Sequence, residues 1–492
     1  MNDSNYQQEV RGLTLVWAWT VPLLFLVLVL LGLTMRLGQA TIISVDADLF
    51  YAIMTLHGLG MGATAFVGGL AGVTYLLARY VRVNLAILWT TYVLTVLGVA
   101  GLLIACLIGR FGPGWYLLYP LPFFSKGVWP DWALGLGVVS LIVLGVALML
   151  GQVEVARALI ARYGFMNSMG WQYFRKASAG RVEIPPIVLI SAAACLVPGI
   201  ITTIDGAVLL LLYLFQWFSP AITFDPLAFK NMVFLWGHTL VNITMYLGLA
   251  MVYELLPKYS GKPWKTNTVV AISWNLVLVY VLTAFFHHLY MDFAQPNILQ
   301  YIGQIASYLS VVPATVVTVF GVIGQVYRSG MQWRFVPLCF FLGTVGWVIG
   351  GFAAVVDSTI TVNSAFHNTL WVPAHFHTYF LVGYFLMLWG FLYDFSGSGR
   401  EKVAKAGLSL VVVGGYGFLL MFYLGGTFGV PRRYAVYDSI PLASLAASGE
   451  RLASIAAAFI VIFIIGLLFV LGIIYGGLAN RRLTGELASP GR

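Results

Sequence analysis

Seven histidines occur among the 492 residues: His57, His238, His287, His288, His367, His375 and His377. Six fall inside stretches apolar enough to cross a bilayer, and His367 lies just before one. An ionisable group in hydrocarbon is costly and by default signals function. One such imidazole could simply be a hydrogen bonder between helices; six together call for a shared purpose. Neutral imidazole suits copper, iron or zinc. His375 and His377, two apart on a helix, point about 200° apart, so they cannot share a metal, but a helix between two hemes could ligate both. His287 and His288, about 100° apart on a helix, can converge on one ion, with His238 as a third ligand from another helix. His57 is left to pair with one histidine of the 375/377 couple across a six-coordinate heme. The other holds a heme whose open sixth position faces the three-histidine metal. The chemistry is redox chemistry at two hemes, one of them paired with a non-heme metal.

The elements that must position these residues follow from composition. The chain is 60% hydrophobic and 9% charged, against about 25% charged in soluble domains. Apolar runs recur from end to end, each near the ~20 residues that span a bilayer. The fold class is an all-α polytopic membrane protein, read as one transmembrane catalytic domain over residues 1–492. Twelve spans are predicted at 13–36, 48–78, 84–109, 132–160, 185–214, 227–256, 267–291, 299–327, 335–356, 369–395, 406–429 and 452–479. The first is too long for a cleaved signal and lacks a clear small-residue cleavage site. Twelve is even, so both termini share a side. That side carries 19 of the 26 Lys and Arg, including Arg79, Arg82, Arg175, Lys176, Arg181, Arg481 and Arg482. An excess of positive charge makes it the cytoplasmic one.

Depth then groups the histidines. At ~1.5 Å per residue, His57, His238, His375 and His377 lie roughly 9–16 Å below the outer ends of their spans. His287 and His288 lie within roughly 10 Å of theirs. Four helices therefore deliver six imidazoles to one layer in the outer half of the membrane, which suits metal cofactors rather than a proton wire. The formal net charge of +9 points to no nucleic-acid role, because the basic residues sit in short loops. Cys106, Cys195 and Cys339 lie in separate apolar segments without metal or disulfide spacing and read as small buried hydrophobes.

This pattern resembles subunit I of the heme-copper oxidase superfamily over essentially the whole chain, with histidines on spans 2, 6, 7 and 10, and within it the B family. The residues that carry the resemblance are "TLHG" at Thr55–Gly58, "WGH" at Trp236–His238, "FHH" at Phe286–His288 and "HNTLWVPAHFH" at His367–His377. "GVPRR" at Gly429–Arg433 and "LYPLP" at Leu118–Pro122 add to it. The resemblance implies that His57 and His377 ligate a low-spin heme and His375 a high-spin heme. His238, His287 and His288 would hold the non-heme metal, which is copper (CuB) in the oxidases. Arg432 and Arg433 match a pair that binds heme propionates, as guanidinium forks suit carboxylates. His367 matches a residue near those propionates.

One departure bears on the reaction. Where oxygen-reducing members read Gly-His-Pro-x-x-Tyr, this chain reads Gly237-His238-Thr239-Leu240-Val241-Asn242. In the oxidases that tyrosine is joined to the histidine and supplies an electron and a proton when the O–O bond breaks. An amide cannot be oxidised in this way. The C family places its tyrosine on span 7, where the nearest candidate here is Tyr280. Coupling two NO to N2O needs only two electrons and two protons, and NO reductases of the superfamily lack the tyrosine. The expectation is therefore an NO reductase, with Asn242 hydrogen-bonding a bound NO, a species on the way to N2O, or water. Asn242 is neutral where the best-known NO reductases place glutamate near iron, so copper is favoured over iron.

On the cytoplasmic side, Tyr253 and Glu254 could begin a proton path. Leu249, Ala314 and Val317 stand where polar groups are expected, and Thr315, Thr318, Ser307 and Ser310 are possible substitutes. Reduced or absent proton pumping is the expectation. The chain has no cysteine cluster for CuA and no CxxCH. That implies a second membrane-anchored subunit carrying CuA or a c-type heme, fed by a soluble donor such as cytochrome c or a cupredoxin. The location implied is the prokaryotic cell membrane. The alternatives are an oxygen reductase using another tyrosine, a diheme electron-transfer cytochrome, and a transporter. The last two leave the three-imidazole site or the histidine layer unexplained.

Overall fold

Backbone amides have no water to bond within hydrocarbon, so an apolar run that crosses it must close on itself as a helix. The computed structural model describes residues 3–176 and 181–483, with side chains through Asn480. Among them are twelve helices long and apolar enough to cross a membrane. These are α1 (Asp3–Gln39), α2 (Ala47–Leu77), α3 (Leu85–Ile108), α4 (Asp131–Tyr163), α5 (Pro186–Phe218), α6 (Pro226–Ser260), α7 (Thr268–Leu289), α8 (Ile298–Val326), α9 (Phe335–Asp357), α10 (Trp371–Ser396), α11 (Glu401–Thr427) and α12 (Ala443–Asn480). The protein is an integral multi-pass membrane protein. Every predicted span is present. Several helices run past it, α1 by ten residues and α12 by nine at their starts. Hydropathy registers only the apolar part, while hydrogen bonding carries the helix on into polar sequence. The side chains of Arg481 and Arg482, used to orient the chain, lie outside the described residues.

Neighbours in sequence pack together: α1 on α2, α3 on α4, α5 on α6, α7 on α8, α9 on α10 and α11 on α12. Longer-range contacts close the bundle, with α1 against α12 and α2 against α6. Lipid offers no hydrophobic drive between helices, so contact depends on backbones coming close over small residues. A Cβ on Gly346 of α9 would sit 2.1 Å from the Val382 carbonyl of α10. One on Gly414 of α11 would sit 2.4 Å from the Phe463 amide of α12.

The helices that carry histidines have defined starts and defined breaks. At the head of α6 the Asp225 carboxylate accepts from the Leu227 and Ala228 amides at 2.7 and 2.9 Å, with Pro226 at the first turn. This fixes where α6 begins and so the height of His238. The end of α7 is not α-helical: Ala284–Leu289 winds as a 3-10 helix. The expectation for His287 and His288 assumed an α-helix; the tighter winding turns adjacent side chains about 120° apart instead. α10 contains a π-helical turn at Phe380–Tyr384, just past its two histidines.

The α9–α10 contact at Gly346 is a backbone against a carbonyl and cannot yield by side-chain motion. Gly346→Ala should lower stability by about 1–3 kcal/mol as overpacking does, read as a fall in thermal midpoint in detergent. Gly472→Ala, where a Cβ meets nothing within 4 Å, should leave the midpoint unchanged.

Candidate heme and metal site

All six histidines of the predicted layer line one internal cavity of about 2820 Å³ of non-atom space. α2, α6, α7 and α10 bring them together, as the depth argument expected. They sort into a pair, a single ring and a cluster.

The pair is His57 and His377. Their rings face each other with centres 6.2 Å apart and planes 20° apart. Two imidazoles bound to opposite sides of one iron by bonds of about 2 Å put their ring centres at roughly this distance. Each ring is also oriented from behind. His57 Nδ1 lies 2.7 Å from the Leu28 carbonyl of α1, and His377 Nδ1 lies 2.7 Å from the Pro373 carbonyl. A carbonyl only accepts, so each Nδ1 carries the proton and each Nε2 keeps its lone pair for a metal. Gly32 on α1 makes room: a Cβ there would meet His57 Cε1 at 3.0 Å. The single ring is His375, which lines the same cavity. Its Nδ1 lies 3.1 Å from the Gly350 carbonyl of α9, which fixes the same tautomer.

The cluster is His238, His287 and His288. One ring nitrogen from each lies within 4.8 Å of the others. The ring centres of His238 stand 5.0 and 5.5 Å from those of His287 and His288. Here side chains share the support. His287 Nδ1 is 2.9 Å from the Ser307 hydroxyl. His288 stacks on Phe234 at 4.8 Å and 17°. His238 lies one turn from Asn242, whose amide nitrogen is 3.4 Å from its Nε2 and 2.8 Å from its carbonyl. Among the described residues no carboxylate lines the large cavity, while Asp357 lines a polar pocket that His287 and His288 share. An all-imidazole donor set of this kind fits copper, as well as zinc or iron.

Adjoining the cluster is this second, polar pocket of about 630 Å³ of non-atom space, lined by His287 and His288 and by Lys230, Asp357, His367, Arg432 and Arg433 among others. The Pro431–Arg433 strand is clamped to the 368–370 segment. Arg432 N donates to the Asn368 carbonyl at 2.8 Å, and its guanidinium reaches the Asn368 side chain at 3.0 Å. Arg433 lies over the Tyr116 ring at 3.8 Å. Burial, then the neighbouring Arg433, pushes the Arg432 guanidinium down to about 9. Two adjacent cations lining both cavities are the complement that heme carboxylates require. Burial, followed by Arg432 and Lys230, brings His367 down to about 4 and keeps it neutral at pH 7. The residues therefore fit two hemes and one non-heme metal.

Other expectations fare differently. Tyr280 is half-buried and is not among the residues lining the cavity. The tyrosine that does line it is Tyr379, one turn past His375, with ring centres 5.1 Å apart. Tyr253 bonds Thr318 at 3.0 Å, and Glu254 accepts from Tyr80 at 2.8 Å. Leu249, Ala314 and Val317 are buried apolar positions beyond them. Ser310 turns back to its own helix at the Ser307 carbonyl. Arg36 was read only as the end of a span; it lines the cavity over Phe422 at 4.8 Å. An arginine at the edge of an apolar run was the available signal.

Comparison with known proteins follows the same lines. The family model for cytochrome C and quinol oxidase polypeptide I matches residues 12–460. Cytochrome c oxidase subunit 1 of Thermus thermophilus is 26% identical over 471 residues, covering 89% of this chain and 78% of that protein. Cytochrome bo(3) ubiquinol oxidase subunit 1 of Buchnera aphidicola is 23% identical, covering 76% of this chain and 55% of that protein. A solved heme-copper terminal oxidase dimer shares the fold at a TM-score of 0.77 and 19% identity, over 95% of this chain and 84% of its own.

Gly32→Val would press on the His57 imidazole. The expected outcome is a fall from two hemes per chain to one, read by heme extraction. Non-heme metal content should be unchanged.

Proposed function

The chain belongs to the cytochrome C and quinol oxidase polypeptide I family, and from that premise we propose that it is the catalytic subunit of a respiratory nitric oxide reductase of the B-family type. The net reaction takes two NO, two electrons and two protons to N2O and water. One observation carries this reading. The position one turn from His238, where the oxygen-reducing pattern has tyrosine, holds Asn242, and Asn242 lines the cavity. Among the described residues no tyrosine has a ring contact or hydrogen bond with the three-imidazole cluster.

In this reading His57 and His377 hold the low-spin heme, His375 the high-spin heme, and His238, His287 and His288 a copper. When bound, these groups supply the electrons and the redox-active metals at which NO is reduced. The protein's own part is orientation and proton placement. Carbonyls of Leu28, Pro373 and Gly350 fix three heme-facing imidazoles. Arg432 and Arg433 neutralise carboxylates at the outer edge, with His367 a neutral neighbour. One Asn242 amide hydrogen is committed to the His238 carbonyl, which leaves the second hydrogen and the Oδ1 acceptor. The side chain can therefore donate to bound NO and accept from a protonated species or water beside the metal. The neutral amide of Asn242 in place of a carboxylate favours copper over iron.

Electrons arrive at the outer face of the prokaryotic cell membrane from a second membrane-anchored subunit carrying CuA or a c-type heme. That subunit is supplied by a soluble donor such as cytochrome c or a cupredoxin. Oxygen reduction is the second reading. The relatives' names favour it, and Tyr379 beside His375 is the residue that would supply the fourth electron.

Anaerobic turnover of the purified complex with NO should give N2O at one molecule per two NO, and oxygen should be consumed far more slowly. Rapid reduction of O2 to water with little N2O would overturn the proposal in favour of the second reading. Asn242→Leu should slow NO turnover about tenfold, near 1.4 kcal/mol, with heme and copper content unchanged. In vesicles, turnover should expel no protons, because the Tyr253–Thr318 pair is followed by buried Leu249, Ala314 and Val317. A pH electrode showing outward release would contradict this.

A further inference from the structure

The three heme-facing imidazoles that have a hydrogen bond at Nδ1 take it from backbone carbonyls. A carbonyl is present whatever the residue, so sequence change cannot readily alter those tautomers. The metal cluster differs, because a side-chain hydroxyl, that of Ser307, shares the support of His287 with the Ala284 carbonyl. We infer that Ser307 is a positioning residue that fixes the His287 tautomer and sets the affinity of the three-imidazole site for its metal. The inference rests on the reading of His238, His287 and His288 as metal ligands.

The hydroxyl of Ser307 has one hydrogen and three neighbours. Its oxygen lies 2.6 Å from the Gly303 carbonyl, 3.4 Å from the Ala284 carbonyl and 2.9 Å from His287 Nδ1. The hydrogen goes to Gly303, the nearest pure acceptor. Toward His287 the oxygen can then only accept, so Nδ1 carries the imidazole proton. Nε2 is left with its lone pair and no proton, which is the form a metal requires. Ser307 and His287 are both buried, at 5% and 8% exposure.

The local fold is built around this contact. A Cβ on Gly303 would sit 2.9 Å from the His287 amide and from Phe286 Cβ. Glycine lets α8 lie against the 3-10 segment, and Ser307, four residues on along the same face, then reaches the ring. The neighbouring ligand His288 is held by stacking on Phe234, and His238 meets the Val281 backbone and, at 3.4 Å, the Asn242 side chain. Ser307 is thus the one short side-chain hydrogen bond to a ring of the cluster among the described residues.

The test uses the purified complex, stripped of copper and titrated with Cu(I) against a chromophoric chelator, with heme absorbance read on the same samples. Ser307→Ala should weaken copper binding 10–100-fold and leave both hemes in place. Electron paramagnetic resonance of the oxidised copper should lose the coupling of one nitrogen. Ser307→Thr, which keeps the hydroxyl, should restore wild-type affinity. Wild-type copper affinity in Ser307→Ala would overturn the inference. If Ser307→Ala also loses heme, Ser307→Thr decides. Wild-type copper affinity in that variant supports the hydroxyl, and weak binding with both hemes present overturns it. A wild-type complex that binds two hemes but no copper would overturn the site reading itself.

Discussion

An imidazole buried among membrane helices has two nitrogens to satisfy and no water to satisfy them. The rest of this structure depends on how that constraint is met. Where one nitrogen is given to a carbonyl or hydroxyl, the ring becomes neutral with a defined tautomer, and its second nitrogen is a lone pair facing the cavity. His57, His375, His377 and His287 all meet the constraint in this way. A bundle with four such lone pairs aimed inward is stable only if something accepts them, because unpaired buried polar groups are expensive. The second demand sets the cofactors as firmly as the first sets the rings.

Helix contact is subordinate to that arrangement. Gly32 yields space to the His57 ring, Gly303 to the backbone at His287, and Gly350 to the Tyr379 ring beside His375. At Gly32 and Gly303 a Cβ would press directly on the ring or backbone of a histidine. The small residues that let membrane helices approach therefore also aim ligands. Helix breaks serve the same end. The 3-10 winding of Ala284–Leu289 turns His287 and His288 farther apart about the axis than an α-helix would. Their rings still reach 4.2 Å between centres, and His287 meets Ser307 on α8.

Much of this was legible in the sequence, and what was not has physical reasons. The twelve spans follow from hydropathy because backbone bonding in lipid leaves no other solution. The shared depth of the histidines follows from a constant rise per residue. Rotation about the axis was not legible where winding changes: the α-helical spacing assumed for His287 and His288 fails once the segment becomes 3-10. Tyr280 shows the same limit, since it sits at nearly the right height and yet does not line the cavity. Tyr379 was invisible as a site residue because an aromatic in an apolar span looks like ordinary packing. Ser307 was seen as a hydroxyl in a span, but its partner 20 residues away is a tertiary contact that no local pattern encodes.

Asn242 joins the two levels. A tyrosine one turn from His238 would bring a redox-active ring to the cluster; the asparagine there brings a short amide that folds back on its own helix at 2.8 Å. A side chain of that length cannot leave its helix and still bond the His238 carbonyl. It therefore fills the space beside the metal with a fixed dipole rather than an electron source. The same exchange removes the covalent tether that the tyrosine would give His238, whose Nδ1 is buried with no hydrogen-bond partner. Orientation of that ring falls to the metal, to the Val281 backbone and to its neighbours His287 and His288. The position one turn from His238 therefore contributes a dipole and no redox-active ring to the cavity.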